Sequence, residues 1–110
     1  MKKIILLLIL LSTISCEHTE NTNPCNIITS TYQRDIKPII ITKCATSSGC
    51  HGNNSPFGNF KVFSELKQTC ENGSFRERVI TKKNMPPGGP LDVCELEKIK
   101  IWIREGAKNN

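Results

Sequence analysis

The sequence predicts an all-α domain, and three observations carry that expectation. Runs of strictly alternating apolar and polar residues, the mark of half-buried strands, are nearly absent. Apolar side chains recur instead at helical spacing in two stretches, Ile36 to Cys44 and Leu96 to Ile103. Between these stretches lie long segments rich in Gly, Asn, Ser and Pro, which read as loops. The architecture expected is a small domain of three to five helices with long loops.

The opening residues stand apart from that domain. The stretch "MKKIILLLILLSTISC" begins with Lys2 and Lys3, continues as an apolar run from Ile4 to Leu11 and ends in small polar residues before Cys16. This is the composition of a secretory signal, assigned to residues 1–15. Its apolar run falls short of the roughly 20 residues that a membrane-spanning helix needs, so the mature chain is expected to leave the cytoplasm without a transmembrane anchor. The segment "STISC" resembles a bacterial lipobox, with Thr13 where a leucine is usual, and the resemblance implies lipidation of Cys16. Ordinary cleavage near Ser15 is the alternative. Residues 16–30 open with "EHTENTNP", lack apolar periodicity and read as a tether holding the domain off a membrane.

The folded part is expected over residues 31–110. In its first helix, running from about Ile36 into Cys44, Ile36, Ile39, Ile40 and Cys44 share a face. Asp35 is placed to cap the turn that holds Pro38. Residues 45–59 are loop by composition, and a short helix follows around Val62 to Gln68. Ser74 and Glu77 have the spacing of a capping box for a helix of about two turns through Ile80. "NMPPGGP" then reads as a stiff exposed turn, since proline removes amide donors and glycine permits unusual dihedrals. The last helix is the clearest. Asp92 and Glu95 form a second capping box, Leu96, Ile99 and Ile103 line one face with Trp102 beside it, and Gly106 sits where a helix stops. Phe57, Phe60, Phe63 and Phe75 are expected in the core or lining a pocket.

Charge excludes one class of partner. The chain carries 15 basic and 10 acidic side chains, and loss of Lys2 and Lys3 with the signal leaves 13 against 10, a net +3. That excess is spread along the chain without a basic run, so a nucleic-acid partner is not expected. No nucleophile with a base, no paired carboxylates and no phosphate-binding loop are present, which argues against an enzyme.

The chemistry concentrates in "CATSSGCH", residues 44–51. The pattern C-x-x-C-H marks covalent c-type haem, in which two thiols bond the porphyrin and the adjacent histidine binds iron. Here Cys44, Cys50 and His51 occur in that order, but five small residues separate the cysteines. His18 lies in the tether, so His51 is the fold's one candidate imidazole, and Met85 is the only methionine left once Met1 is removed. Histidine and methionine together are the ligation of electron-carrying cytochromes, and Met85 stands at the entrance to the stiff proline turn. Two other readings compete: a disulfide between Cys44 and Cys50, and a zinc site that lacks a fourth ligand. Of the remaining cysteines, Cys25, Cys70 and Cys94, sequence alone selects no pair.

Taken in order, "YQRDIKPIIITKC", "CHG", "NMPPGGPL" and "LEKIKIWIREGAKNN" resemble the single-haem cytochrome c domains of bacterial envelope proteins. The likeness covers nearly all of residues 31–110, and the five-residue spacer is its departure from the family pattern. It implies a cytochrome c-like fold with one covalent haem c on Cys44 and Cys50, His51 as proximal ligand and Met85 as distal ligand. The expected function is electron transfer by a monomeric lipoprotein domain facing the periplasm or cell surface, with redox partner proteins that the sequence leaves open. The alternatives are a haem-free, disulfide-stapled lipoprotein module of the same fold, or a five-coordinate haem sensor or peroxidase if Met85 does not ligate.

Overall fold

The structure, a computed structural model, describes residues 23–110; the expected signal segment, Cys16 and His18 lie outside the described residues. Four helices form, and no strand is present among the described residues. We label them α1 (residues 32–44), α2 (Phe63–Glu71), α3 (residues 74–81) and α4 (Val93–Arg104). The all-α expectation therefore holds.

Helix α1 begins at Tyr32, a full turn before the expected start at Ile36. The reason lies in Asp35, which caps from inside the helix: its carboxylate accepts from the Thr31 amide at 2.8 Å, satisfying a donor that the helix leaves orphaned. Burial opposes ionisation of Asp35, but bonds from Arg34 and Thr31 outweigh it and hold the carboxyl below its ordinary range. Pro38 consequently lies inside the helix and not in its first turn. The turn ahead of it, Tyr32–Ile36, is wide, with Ile36 and Lys37 amides donating five residues back to Thr31 and Tyr32 carbonyls. A wide turn of this kind accommodates the missing donor and the bulk of the proline ring. A second wide turn, Ile40–Cys44, closes the helix.

Helix α2 runs to Glu71, three residues beyond the expected end at Gln68. The Ser74 capping box does not form. Gly73, at φ 82°, occupies the cap position, and the side chain of Asn72 accepts from the Ser74 amide at 2.9 Å in its place. In α4 the expected box is complete: Glu95 N donates to Asp92 Oδ1 at 2.8 Å and Asp92 N to Glu95 Oε2 at 3.1 Å. Gly106, at φ 95°, ends that helix as the sequence suggests.

The core sits where α1 crosses α4. Ile36, Ile40, Leu66, Ile99 and Trp102 are almost wholly shielded from solvent, and Tyr32 joins them. The Tyr32 ring stacks on Trp102 at 5.9 Å and meets Phe63 edge-on at 4.7 Å, so α1, α2 and α4 share one aromatic junction. Along α4, Ile101 is buried and Ile103 only half-buried, so this helix turns a broader face inward than its spacing predicts. After α4 the chain returns to α1. Asn110 accepts from the Tyr32 and Gln33 amides at 3.0 and 2.9 Å, so a distant segment caps the first helix.

Residues 23–30, within the expected tether, run without regular structure, and Cys25 is bonded to Cys94 in the first turn of α4. Of the three pairings open to Cys25, Cys70 and Cys94, this one leaves Cys70 as a thiol. The bond spans 69 residues, and closing a loop of that length in the unfolded chain is worth about 4 kcal/mol. Cys94→Ser should therefore lower the unfolding free energy by about 4 kcal/mol in a urea titration, and reducing agent should bring the unaltered protein to the same value.

Candidate functional site

The loop after α1 is a folded clasp. The His51 amide donates back to Cys44 O at 3.0 Å, and the Phe60 amide donates to His51 O at 2.8 Å, which fixes the histidine backbone from both sides. Inside the clasp, Ser47 O accepts from Cys50 N at 3.1 Å and Gly52 N at 2.8 Å. The five spacer residues thus fold back over Gly52. A Cβ at Gly52 would lie 2.6 Å from Ser47 O and 2.8 Å from Ser47 C, so the clasp closes only around a residue without a side chain.

The imidazole of His51 is held as firmly as its backbone. Nδ1 lies 3.1 Å from Phe57 O and 3.3 Å from Gly58 O. Carbonyl oxygens only accept, so Nδ1 is the donor, and in the neutral ring this tautomer leaves the lone pair on Nε2. The ring lies flat against Phe60 at 3.9 Å with an interplanar angle of 7°. A histidine whose Nδ1–H is spent on backbone carbonyls has its orientation set and its Nε2 ready for a metal, the usual arrangement around metal-binding histidines.

His51 faces a cavity of about 330 Å³, and Cys44, Cys50 and Met85 line it with him. All four residues singled out by the sequence as one site are therefore brought together. Helix α1 supplies Cys44, the clasp supplies Cys50 and His51, and the proline turn supplies Met85. That turn is hung from α3, since Asn84 and Met85 amides both donate to Arg78 O, at 3.0 and 3.3 Å. Phe60, Phe75 and Val79 form an apolar wall, and the volume is in the range of small-molecule and cofactor sites. Of the two places expected for Phe57, core or pocket lining, it takes the second: it borders the cavity and is 66% exposed.

The three thiols differ in environment. Burial, with a smaller contribution from Glu95 and then Cys50, pushes Cys44 up to about 11. Burial likewise pushes Cys70 up to about 11. Hydrogen bonds from Thr46 and Ser47 lower Cys50. Cys44 and Cys50 are unbonded in the structure, in contrast to the disulfide reading of this pair. No group of three or more His, Cys, Asp or Glu side chains is arranged to hold a metal among the described residues, so a zinc cage finds no support. An iron held in a macrocycle asks only for axial side chains, which His51 and Met85 can supply.

Sequence reasoning passed over Gly52, Phe60 as the stacking partner of His51, and Arg78 as the support of the Met85 turn. Only Gly52 left a signal, as the glycine directly after the histidine. Comparison with protein-family models, with curated proteins and with solved structures finds no match for this chain.

Two outcomes test this geometry. Gly52→Ala should cost about 1–3 kcal/mol in chemical unfolding by forcing the clasp apart, whereas Gly49→Ala, whose added Cβ comes no nearer than 3.8 Å to Ser47 Oγ, should stay within about 0.5 kcal/mol. Thiolate is the reactive form, so a thiol with a raised pKa reacts slowly until the pH approaches that value. In chain produced without haem, iodoacetamide at about pH 7.5 should label Cys50 well before Cys44 or Cys70, with labelling at the last two accelerating as the pH rises toward 11. Equal rates at all three sites would contradict the assignment.

Proposed function

We propose that the chain is a c-type cytochrome domain of the bacterial cell envelope, carrying one covalent haem and passing electrons singly. The observation that carries this reading is the convergence of Cys44, Cys50, His51 and Met85 on one apolar cavity, with the His51 Nδ1 proton already committed to backbone carbonyls. Neither a stapling disulfide nor a chance turn methionine accounts for that combination. Haem, when bound, supplies the one-electron iron couple.

The residues divide the remaining work. Cys44 and Cys50 would hold the haem covalently as thioethers, and both line the cavity. His51 is oriented by the clasp and presents Nε2. Met85 is presented on a proline-stiffened turn, and as a ligand its thioether would raise the potential relative to a second histidine. Phe60, Phe75 and Val79 give the site an apolar wall. His51 and Met85 would both be spent on the iron, and a centre held by two protein side chains suits a carrier better than an enzyme. The five-residue spacer fits this scheme because it folds back over Gly52 and both Cys44 and Cys50 line the cavity.

Export through the segment 1–15, a lipid on Cys16 and attachment to a membrane through residues 16–30 complete the proposal. The domain is read as a monomer that meets redox partner proteins at the envelope.

The mature chain, expressed in an exporting host with haem-maturation genes, should gain the mass of one haem and give a c-type alkaline pyridine spectrum. A mass showing only hydrogens lost to disulfides removes the cytochrome function. In the loaded protein, Met85→Ala should open the iron to cyanide or carbon monoxide and lower the midpoint potential. An unaltered protein that takes up carbon monoxide as readily as the variant would favour the five-coordinate sensor or peroxidase.

A further inference from the structure

The cavity lining holds no carboxylate, and its Lys and Arg side chains are Lys43 and Arg78. They come from different walls, Lys43 preceding Cys44 on α1 and Arg78 from α3 beneath Met85. Neither has an acidic partner within 4.0 Å among the described residues, although ion pairs form elsewhere on the surface. The neighbour of Arg78, Glu77, is paired with Lys82 at 3.3 Å. Glu95, the carboxylate that bears on Cys44, is engaged in the α4 capping box. Two unneutralised cations on an otherwise apolar concavity repel each other's surroundings less when an anion sits between the walls they occupy, and they reward a ligand that is apolar in its body and anionic at its edge.

We infer that Lys43 and Arg78 form a carboxylate subsite of this cavity, selecting an apolar ligand that bears acidic groups at its rim. The inference rests on the proposed function to the extent that the haem propionates would be those groups, but it specifies a charge requirement that covalent attachment does not. The two cations set the orientation of the ligand edge, while His51 and Met85 address its centre. Because both side chains are exposed, each contact is modest and screened by salt.

Metal-free protoporphyrin IX and its dimethyl ester separate charge from apolar fit and from iron ligation. Binding to the mature haem-free chain, read by porphyrin fluorescence polarisation, should favour the diacid by about fivefold to tenfold at low salt, as two exposed charge contacts allow. The preference should shrink with added salt and collapse to about onefold in Lys43→Gln/Arg78→Gln, with ester binding unchanged. Lys43→Glu/Arg78→Glu should reverse it. A diacid preference that survives the double neutral substitution, or equal binding of both probes to the unaltered chain, overturns the subsite. In the haem-loaded chain the neutral double variant should lower the midpoint potential, since removing positive charge favours the oxidised form; an unchanged potential also overturns it. Should the mass experiment show no covalent haem while the diacid preference and its loss in the variant persist, the cytochrome reading falls and the carboxylate subsite stands for a ligand held without a covalent bond.

Discussion

The stacking of Tyr32 on Trp102 is the contact from which the rest of the molecule is suspended. A domain of this size has little apolar surface to bury, so its large rings must be spent at one place where several elements meet. Tyr32 stands at the start of α1 and Trp102 in the last third of α4, and Phe63 of α2 closes on the same junction. The indole donates to Lys108 O at 2.8 Å, which turns the chain after α4 back toward α1. Asn109 and Asn110 then reach the first turn of α1. Two helices distant in sequence are thereby clamped at one end, while the other end of α1 carries Cys44 toward the cavity.

That division of labour explains how a loop-rich site stays ordered. Cys44 ends a helix, but Cys50, His51 and Met85 lie on irregular backbone, which is ordinarily the mobile part of a fold. Here each irregular segment is bound to something regular. The clasp is bonded at His51 to the end of α1, and the proline turn is bonded at Asn84 and Met85 to α3. The apolar wall between them comes from the buried residues Phe60, Phe75 and Val79, so the floor of the cavity is continuous with the core while its rim, at Lys43, Phe57 and Arg78, is exposed.

Much of this was legible in the sequence because it rests on local chemistry. The Asp92 and Glu95 box formed as spaced, since both partners lie within one turn, and Ile36, Ile39, Ile40 and Cys44 face inward as their period requires. The convergence of the four candidate site residues was legible only as an ordered set of fragments, for spacing along a chain says nothing of distance between Cys44 and Met85. Failures arose where two local options competed. Asp35 reads as a cap before Ile36, but it works backward onto Thr31, because the helix gains a buried turn at Tyr32. Ser74 reads as a cap, but Asn72 reaches its amide first once Gly73 adopts a positive φ. The choice of Cys94 for Cys25 and the role of Asn110 depend on tertiary proximity, which no local pattern encodes.

If the domain is anchored as proposed, the ring closed by Cys25 and Cys94 bears on how it would leave a membrane. The exposed stretch at Asn53 and Asn54 and the tip at Gly88 and Gly89 both lie within that ring, and such tips are where proteases cut first. A single cut at either place makes a nicked molecule whose two pieces remain one covalent body, still hanging from whatever holds the N-terminal segment. Shedding the whole domain requires a cut ahead of Cys25, where the chain is short and close to its anchor on the proposed reading. Damage to the loops and release from the surface are thus separate events.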